Sequence, residues 1–120
     1  MMRRILLWVL TLFVAGMFLF AGAMKLSAQP MMVAMFGQIG LGQWFRVFTG
    51  TLEVVGALLL LVSATAVFGA LLLAVVMIGA IVTHLFIIGG SPLMPIVLLA
   101  ISIAIVYLRR EQIRSLLPAA

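Results

Sequence analysis

The sequence predicts an all-α protein: an integral membrane antiparallel four-helix bundle with a short interfacial helix between spans one and two. Three observations predict it. Of 120 residues, 68% are hydrophobic and only 8% are charged. A soluble domain is about half apolar and about a quarter charged, and a chain this short has no interior large enough to hide the surplus. The apolar residues fall into runs close to the roughly 20 residues that cross about 30 Å of hydrocarbon. Short turns separate the later runs, and connections that short force antiparallel neighbours. The length fits one membrane domain, residues 1–120, with no room for a second.

The first span is expected at about 5–24, ended by Lys25. The second is expected at about 47–64, with Glu53 inside it. The third is expected at about 67–88, with His84 near its end, where Gly89 and Gly90 stop it because glycine ends helices without strain. Pro92 and Pro95 suit the first turn of a fourth span at about 92–108. Tyr107, Arg109 and Arg110 mark its interfacial end. Between spans one and two, the segment at about 30–45 is expected to lie on or dip into the interface. Pro30 opens it, and Met31, Met32, Met35, Phe36 and Ile39 fall on one helical face. Gly37, Gly40 and Gly42 then break the regularity, and Trp44 is an interfacial anchor.

The net charge of +5 does not point to nucleic acid. Arg3 and Arg4 precede the first apolar run, and Arg109, Arg110 and Arg114 follow the last. Charges so placed set orientation and touch anionic headgroups. The outer loops hold only Lys25 and Arg46, so both termini are expected in the cytoplasm and the chain is expected in a cell (inner) membrane as a multi-pass protein. Arg3-Arg4, the apolar run and Ala21-Gly22-Ala23 have the outline of a secretory signal. Cleavage is not expected, because the run is long for a signal core and three further spans follow. The chain contains no cysteine, which excludes disulfides, thiolate catalysis, iron–sulfur ligation and covalently attached haem.

The polar residues within this apolar chain are the candidates for chemistry. Glu53 lies seven residues beyond Arg46, about 10 Å along a helix at 1.5 Å per residue. His84 lies four residues before position 88, about 6 Å along its helix. Lys25 caps the outer end of the first span. Lys25, Arg46, Glu53 and His84 therefore come to the outer half of one bundle and form a candidate polar pocket. A charged side chain near the bilayer centre costs roughly 2.5–3.5 kcal/mol on insertion scales, so Glu53 is expected to face the interior with a partner. Gly50, Gly56 and Ala57 flank Glu53 on one helix face, Gly22 and Ala21 precede Lys25, and Gly79 and Ala80 precede His84. Small residues mark close helix packing in membranes.

Each candidate has a plainer reading beside the functional one. Glu53 with Lys25 or Arg46 fixes helix register; Lys25 and Arg46 snorkel to headgroups; His84 is a hydrogen-bonded packing residue. One histidine and one glutamate within the spans fall short of a metal site, so none is expected. Haem held by two histidines would need a homodimer. The nine methionines are mostly lipid-facing or filler.

Three stretches carry a resemblance: FLFAGAMKL at the end of the first span, FRVFTGTLEVVGALLLL in the second, and MIGAIVTHLFIIGGSPLMPIVLLAISIAIVYLRR through the third and fourth. In this order and spacing the chain resembles the DoxX-like membrane proteins over nearly its whole length. The resemblance implies a four-helix membrane bundle, with Lys25, Arg46, Glu53 and His84 as this chain's versions of the family's polar residues. The family name comes from a subunit of a thiosulfate:quinone oxidoreductase, while other relatives belong to oxidative-stress membrane complexes or help membrane proteins assemble.

Three functions stay open at this point. The first is a quinone-linked redox or oxidative-stress subunit. In it Glu53 and His84 handle protons at the carbonyls of a non-covalently held quinone, and Lys25 or Arg46 stabilises reduced oxygen. The segment from Met31 to Phe36 forms a soft apolar lid. The chain has no electron-transfer motif, so a membrane or peripheral oxidoreductase partner supplies electrons. The second is a non-catalytic scaffold or assembly factor, with homo-oligomerisation open. The third is a small proton-coupled transporter similar to small multidrug exporters, whose essential acid lies in the first helix; here the acid is in the second.

Overall fold

A computed structural model describes residues 2–116. It is all-helical, with no strand among the described residues. The elements run α1 (Met2–Leu26), α2 (Pro30–Ile39), α3 (Gln43–Leu60), α4 (Ala66–Thr83), a π-helical turn (His84–Ile88), α5 (Leu93–Leu108) and α6 (Arg110–Arg114). The long helices pack in sequence, α1 on α3, α3 on α4 and α4 on α5, and α5 returns to α1. The short helix α2 lies against α3 and the π-turn at one end.

Contacts between distant residues fix the antiparallel order. Arg3 near the start of α1 donates from Nη2 to the Leu108 carbonyl at the end of α5, at 2.6 Å. Gln112 donates from Nε2 to the Ser63 carbonyl in the α3–α4 turn, at 2.7 Å. The start of α1, the α3–α4 turn and the end of α5 therefore share one end. The C-terminus of α1, the start of α3, the π-turn and α2 share the other.

Element boundaries differ from the expected spans where polar residues join a helix that the apolar pattern ignores. α3 begins at Gln43, before the expected 47, because Gln43 and Arg46 are compatible with a helical first turn although they are polar. It ends at Leu60, before the expected 64, where Thr65 Oγ1 donates back to the Leu59 carbonyl at 2.9 Å and closes a tight turn. The interfacial segment divides for the same reason. α2 stops at Ile39 on Gly40, which adopts φ 86° and donates its N–H to the Phe36 carbonyl. Left-handed backbone at a helix end favours glycine. Trp44 consequently belongs to α3. Within α2, Phe36 is buried, but Met31, grouped by spacing with that face, is 70% exposed.

The core lies toward the end that carries the α3–α4 turn. Leu60, Ala66, Val67 and Ile105 are fully buried there, and Val14, Phe18 and Leu73 are fully buried toward the middle. Glycine makes the close approaches possible. A Cβ on Gly69 of α4 would lie 2.6 Å from the Gly56 carbonyl of α3, and one on Gly22 of α1 would lie 2.9 Å from the Gly50 carbonyl of α3. The buried hydroxyls satisfy themselves within their own helices: Thr11 donates to the Leu7 carbonyl at 2.7 Å and Ser102 to the Leu98 carbonyl at 2.8 Å. Two helical stretches, Met2–Leu26 and Ala66–Ile88, are long and apolar enough to cross a membrane, and most of each lies outside the protein core. Phe20, Val75 and Phe86 are among the large apolar side chains on the outer surface.

Candidate functional site

α1 and α3 meet through small residues, which lets one long side chain from each helix reach the other. Gly50, Glu53, Gly56, Ala57 and Leu60 form the buried face of α3. Gly50 leaves space for the Lys25 side chain, since a Cβ at Gly50 would sit 2.9 Å from Lys25 Cβ. Lys25 Nζ lies 2.8 Å from Glu53 Oε1, with side-chain exposures of 14% and 3%. This is the only ion pair between helices among the described residues; the other, Arg114 with Glu111, is a local pair on exposed α6. Taking two charges out of water is costly, and a pair of this kind holds only while both partners remain.

Arg46 takes a different role. Its Nη1 donates to the Lys25 main-chain carbonyl and its Nε donates to Gln43 Oε1 at 2.8 Å. A guanidinium on the last carbonyls of a helix satisfies groups that have no intrahelical partner and complements the helix dipole. Arg46 thus caps α1 and anchors it to α3. His84 begins the π-turn, and its Nδ1 donates to the Gly89 carbonyl at 3.1 Å. That bond leaves Nε2 as the free ring nitrogen of the neutral imidazole. π-Turns interrupt regular helix bonding and recur at functional sites.

Between these groups lies a cavity of about 530 Å³. Lys25 and Glu53 form part of its wall and His84 another part, while the remaining lining is mostly apolar and includes Met35, Phe36, Phe48, Met77 and Leu98. Arg46 is not among the lining residues. Ligand sites are commonly concave, apolar and a few hundred to about 1,000 Å³, with a few convergent polar groups. His84 also borders a shallower depression of about 320 Å³ with Met31, Gln38 and Gly90, so it stands between the cavity and the outer surface.

Of the small residues before His84, Ala80 packs against the core but Gly79 does not mark tight helix packing. A Cβ on Gly79 would meet nothing within 4 Å, because Gly79 opens onto the cavity instead of a neighbouring helix. Several other wall residues were not singled out in the sequence. Thr49 lies one helical turn before Glu53 and could have been found from that spacing, as could Thr83 beside His84. Phe45 and Phe48 had no such signal. They join Phe36 and Trp44 in an aromatic cluster, with the Phe36–Phe45 centroids 5.8 Å apart and the Trp44–Phe48 centroids 6.1 Å apart.

An all-helical bundle with apolar outer faces and one buried ion pair beside an apolar cavity defines a small helical membrane protein. More narrowly, the chain belongs to the DoxX-like family, whose model matches residues 9–105. No curated protein and no solved structure matches the chain.

Proposed function

We propose that this DoxX-like protein spans the membrane four times, with both termini in the cytoplasm, and binds a lipid-soluble ring compound of the quinone class for a redox partner. The observation that carries the binding reading is the cavity of about 530 Å³, apolar except for Lys25, Glu53, His84 and two threonines. An apolar slot accepts a ring and the start of an isoprenoid tail, while a carboxylate, an ammonium and an imidazole meet the ring oxygens. Histidine exchanges a proton near neutral pH, and His84 borders both the cavity and the outer depression. In this reading His84 passes protons between the ring and the outer surface. The Lys25–Glu53 pair orients the ring and stabilises charge on its oxygens. Electrons come from the partner.

The four-span reading rests on dimensions and charge. The bundle is 46 Å along its longest axis, against about 40–45 Å for a bilayer with its headgroups. Arg3, Arg109, Arg110 and Arg114 gather at one end and α2 covers the other. Single cysteines at Gln43 and Ser91, both exposed at the α2 end, are expected to label with an impermeant maleimide from outside. One at Ser115 is expected to stay unlabelled, and the opposite pattern would reverse the orientation.

Binding is tested by extracting quinones from the protein purified in mild detergent and by titrating a decyl-tailed benzoquinone. Gly79→Phe fills the cavity from a position where a Cβ meets nothing within 4 Å. The wild-type chain is expected to retain and rebind quinone, and Gly79→Phe to lose it at unchanged stability. Equal quinone binding by both would remove the cavity from the reading and favour a scaffold in which Lys25–Glu53 only joins α1 to α3.

A further inference from the structure

The cavity's polar wall does not treat a carbonyl and a hydroxyl alike. Glu53 is 2% exposed and its Oε1, although 2.8 Å from Lys25 Nζ, has no partner at hydrogen-bonding geometry. A buried charged acceptor left short of donors is unfavourable. Two donors in the wall are directed elsewhere: the Thr83 hydroxyl donates to the Gly79 carbonyl at 2.8 Å, and His84 Nδ1 donates to the Gly89 carbonyl at 3.1 Å. Lys25 has N–H groups to spare beyond its 2.8 Å contact with Glu53, because an ammonium carries three. The wall therefore presents an under-satisfied carboxylate oxygen and an ammonium side by side.

A ring carbonyl fits half of that arrangement. It accepts from Lys25 and leaves Glu53 Oε1 short of a donor. A ring hydroxyl fits both halves, donating to Glu53 and accepting from Lys25 with one oxygen. We infer that the cavity selects the hydroxyl form of its ring ligand, a lipid-soluble hydroquinone or phenol, over the corresponding quinone. The inference rests on the binding reading above and adds the oxidation state of the bound ligand. Glu53 is the specificity-determining residue, and Lys25 contacts the ring oxygen in either form. No bond is broken or formed in this step; the selection is one of hydrogen bonding alone.

The test uses the full chain in phosphatidylcholine nanodiscs under argon. Three probes are compared by equilibrium binding: a decyl-tailed benzoquinol, the matching benzoquinone, and the dimethyl ether of the quinol, which keeps the shape but has no donor. Sites built around a hydroxyl reject analogues that lack it strongly, so the quinol is expected to bind at least about tenfold tighter than either of the others. Glu53→Gln pairs its amide oxygen with Lys25 and turns an N–H donor toward the cavity, so the quinol's advantage over the quinone is expected to disappear. Quinol and dimethyl ether binding equally to the wild-type chain would overturn the selection. If that binding were still blocked by Gly79→Phe, the cavity reading would stand without it. Failure of all three probes to bind would overturn both readings. The wild-type comparison decides the matter even if Glu53→Gln does not fold.

Discussion

The two ends of this bundle are built on opposite plans. At the end with the α3–α4 turn, fully buried apolar side chains gather and polar side chains hold the backbone. Arg3 and Gln112 donate to main-chain carbonyls of other elements, and Arg109 lies 5.6 Å over the Trp8 ring. At the end covered by α2, the charges point inward, the helix turns π-helical at His84, and about 530 Å³ is left unfilled. Dense apolar packing and the buried ion pair therefore separate along the axis. One end holds fully buried apolar side chains, and the other holds Lys25, Glu53 and His84 around the cavity.

The largest expected effect breaks the α2 end. Lys25→Met leaves Glu53 buried without its cation and is expected to destabilise by about 3–5 kcal/mol, as removal of one partner of a buried pair does. The double change Lys25→Met with Glu53→Leu is expected to recover most of that loss, because replacing both charges by apolar groups is often neutral. Unfolding from mixed micelles measures both. If the single variant were as stable as the parent, Glu53 would not depend on Lys25.

Next in size is a strike at the tightly packed end. Gly69→Val drives a branched side chain into the Gly56 carbonyl and the Leu60 N–H, and overpacking of this kind costs about 1–3 kcal/mol. The same unfolding measurement, with α-helical circular dichroism, reads the loss. Arg109→Gln follows, removing the contact over Trp8 and a 3.4 Å bond to the Ser63 carbonyl, with an expected loss of about 0.5–1 kcal/mol. The smallest effect sharpens the contrast most. Gly79→Phe adds far more volume than Gly69→Val, yet its stability is expected to stay within about 0.5 kcal/mol of the parent, as for substitutions that meet no neighbour. A large loss at Gly79 would mean that the cavity end is packed like the other.

Much of the helical pattern was legible in the sequence. The all-helical class, the presence of a short turn between the second and third long helices and the change of direction at Gly89-Gly90 follow from hydrophobic runs and glycine, which act locally. The small face around Glu53 was legible for the same reason, since Gly50, Gly56 and Ala57 recur at helical spacing. The ends of α3 were not, because Gln43 and Arg46 are polar but helical, and an apolar count cannot see them. The match over residues 9–105 to the DoxX-like family agrees with the motifs that carried the resemblance.

By itself the sequence determined which segments are helical, that the protein belongs with membrane proteins, and that its few inward charges needed company, because composition and spacing act through desolvation and backbone geometry alone. Which charges meet was decided only by the tertiary structure. Lys25, Arg46 and His84 were equal candidates for Glu53 along the chain, but helix rotation and the Gly22–Gly50 contact bring Lys25 within 2.8 Å of it. The C-terminus of α1 draws Arg46 to a main-chain carbonyl, and the π-turn ties His84 to Gly89. The cavity likewise exists only in three dimensions, since side chains from α1, α2, α3, α4, the π-turn and α5 together line it.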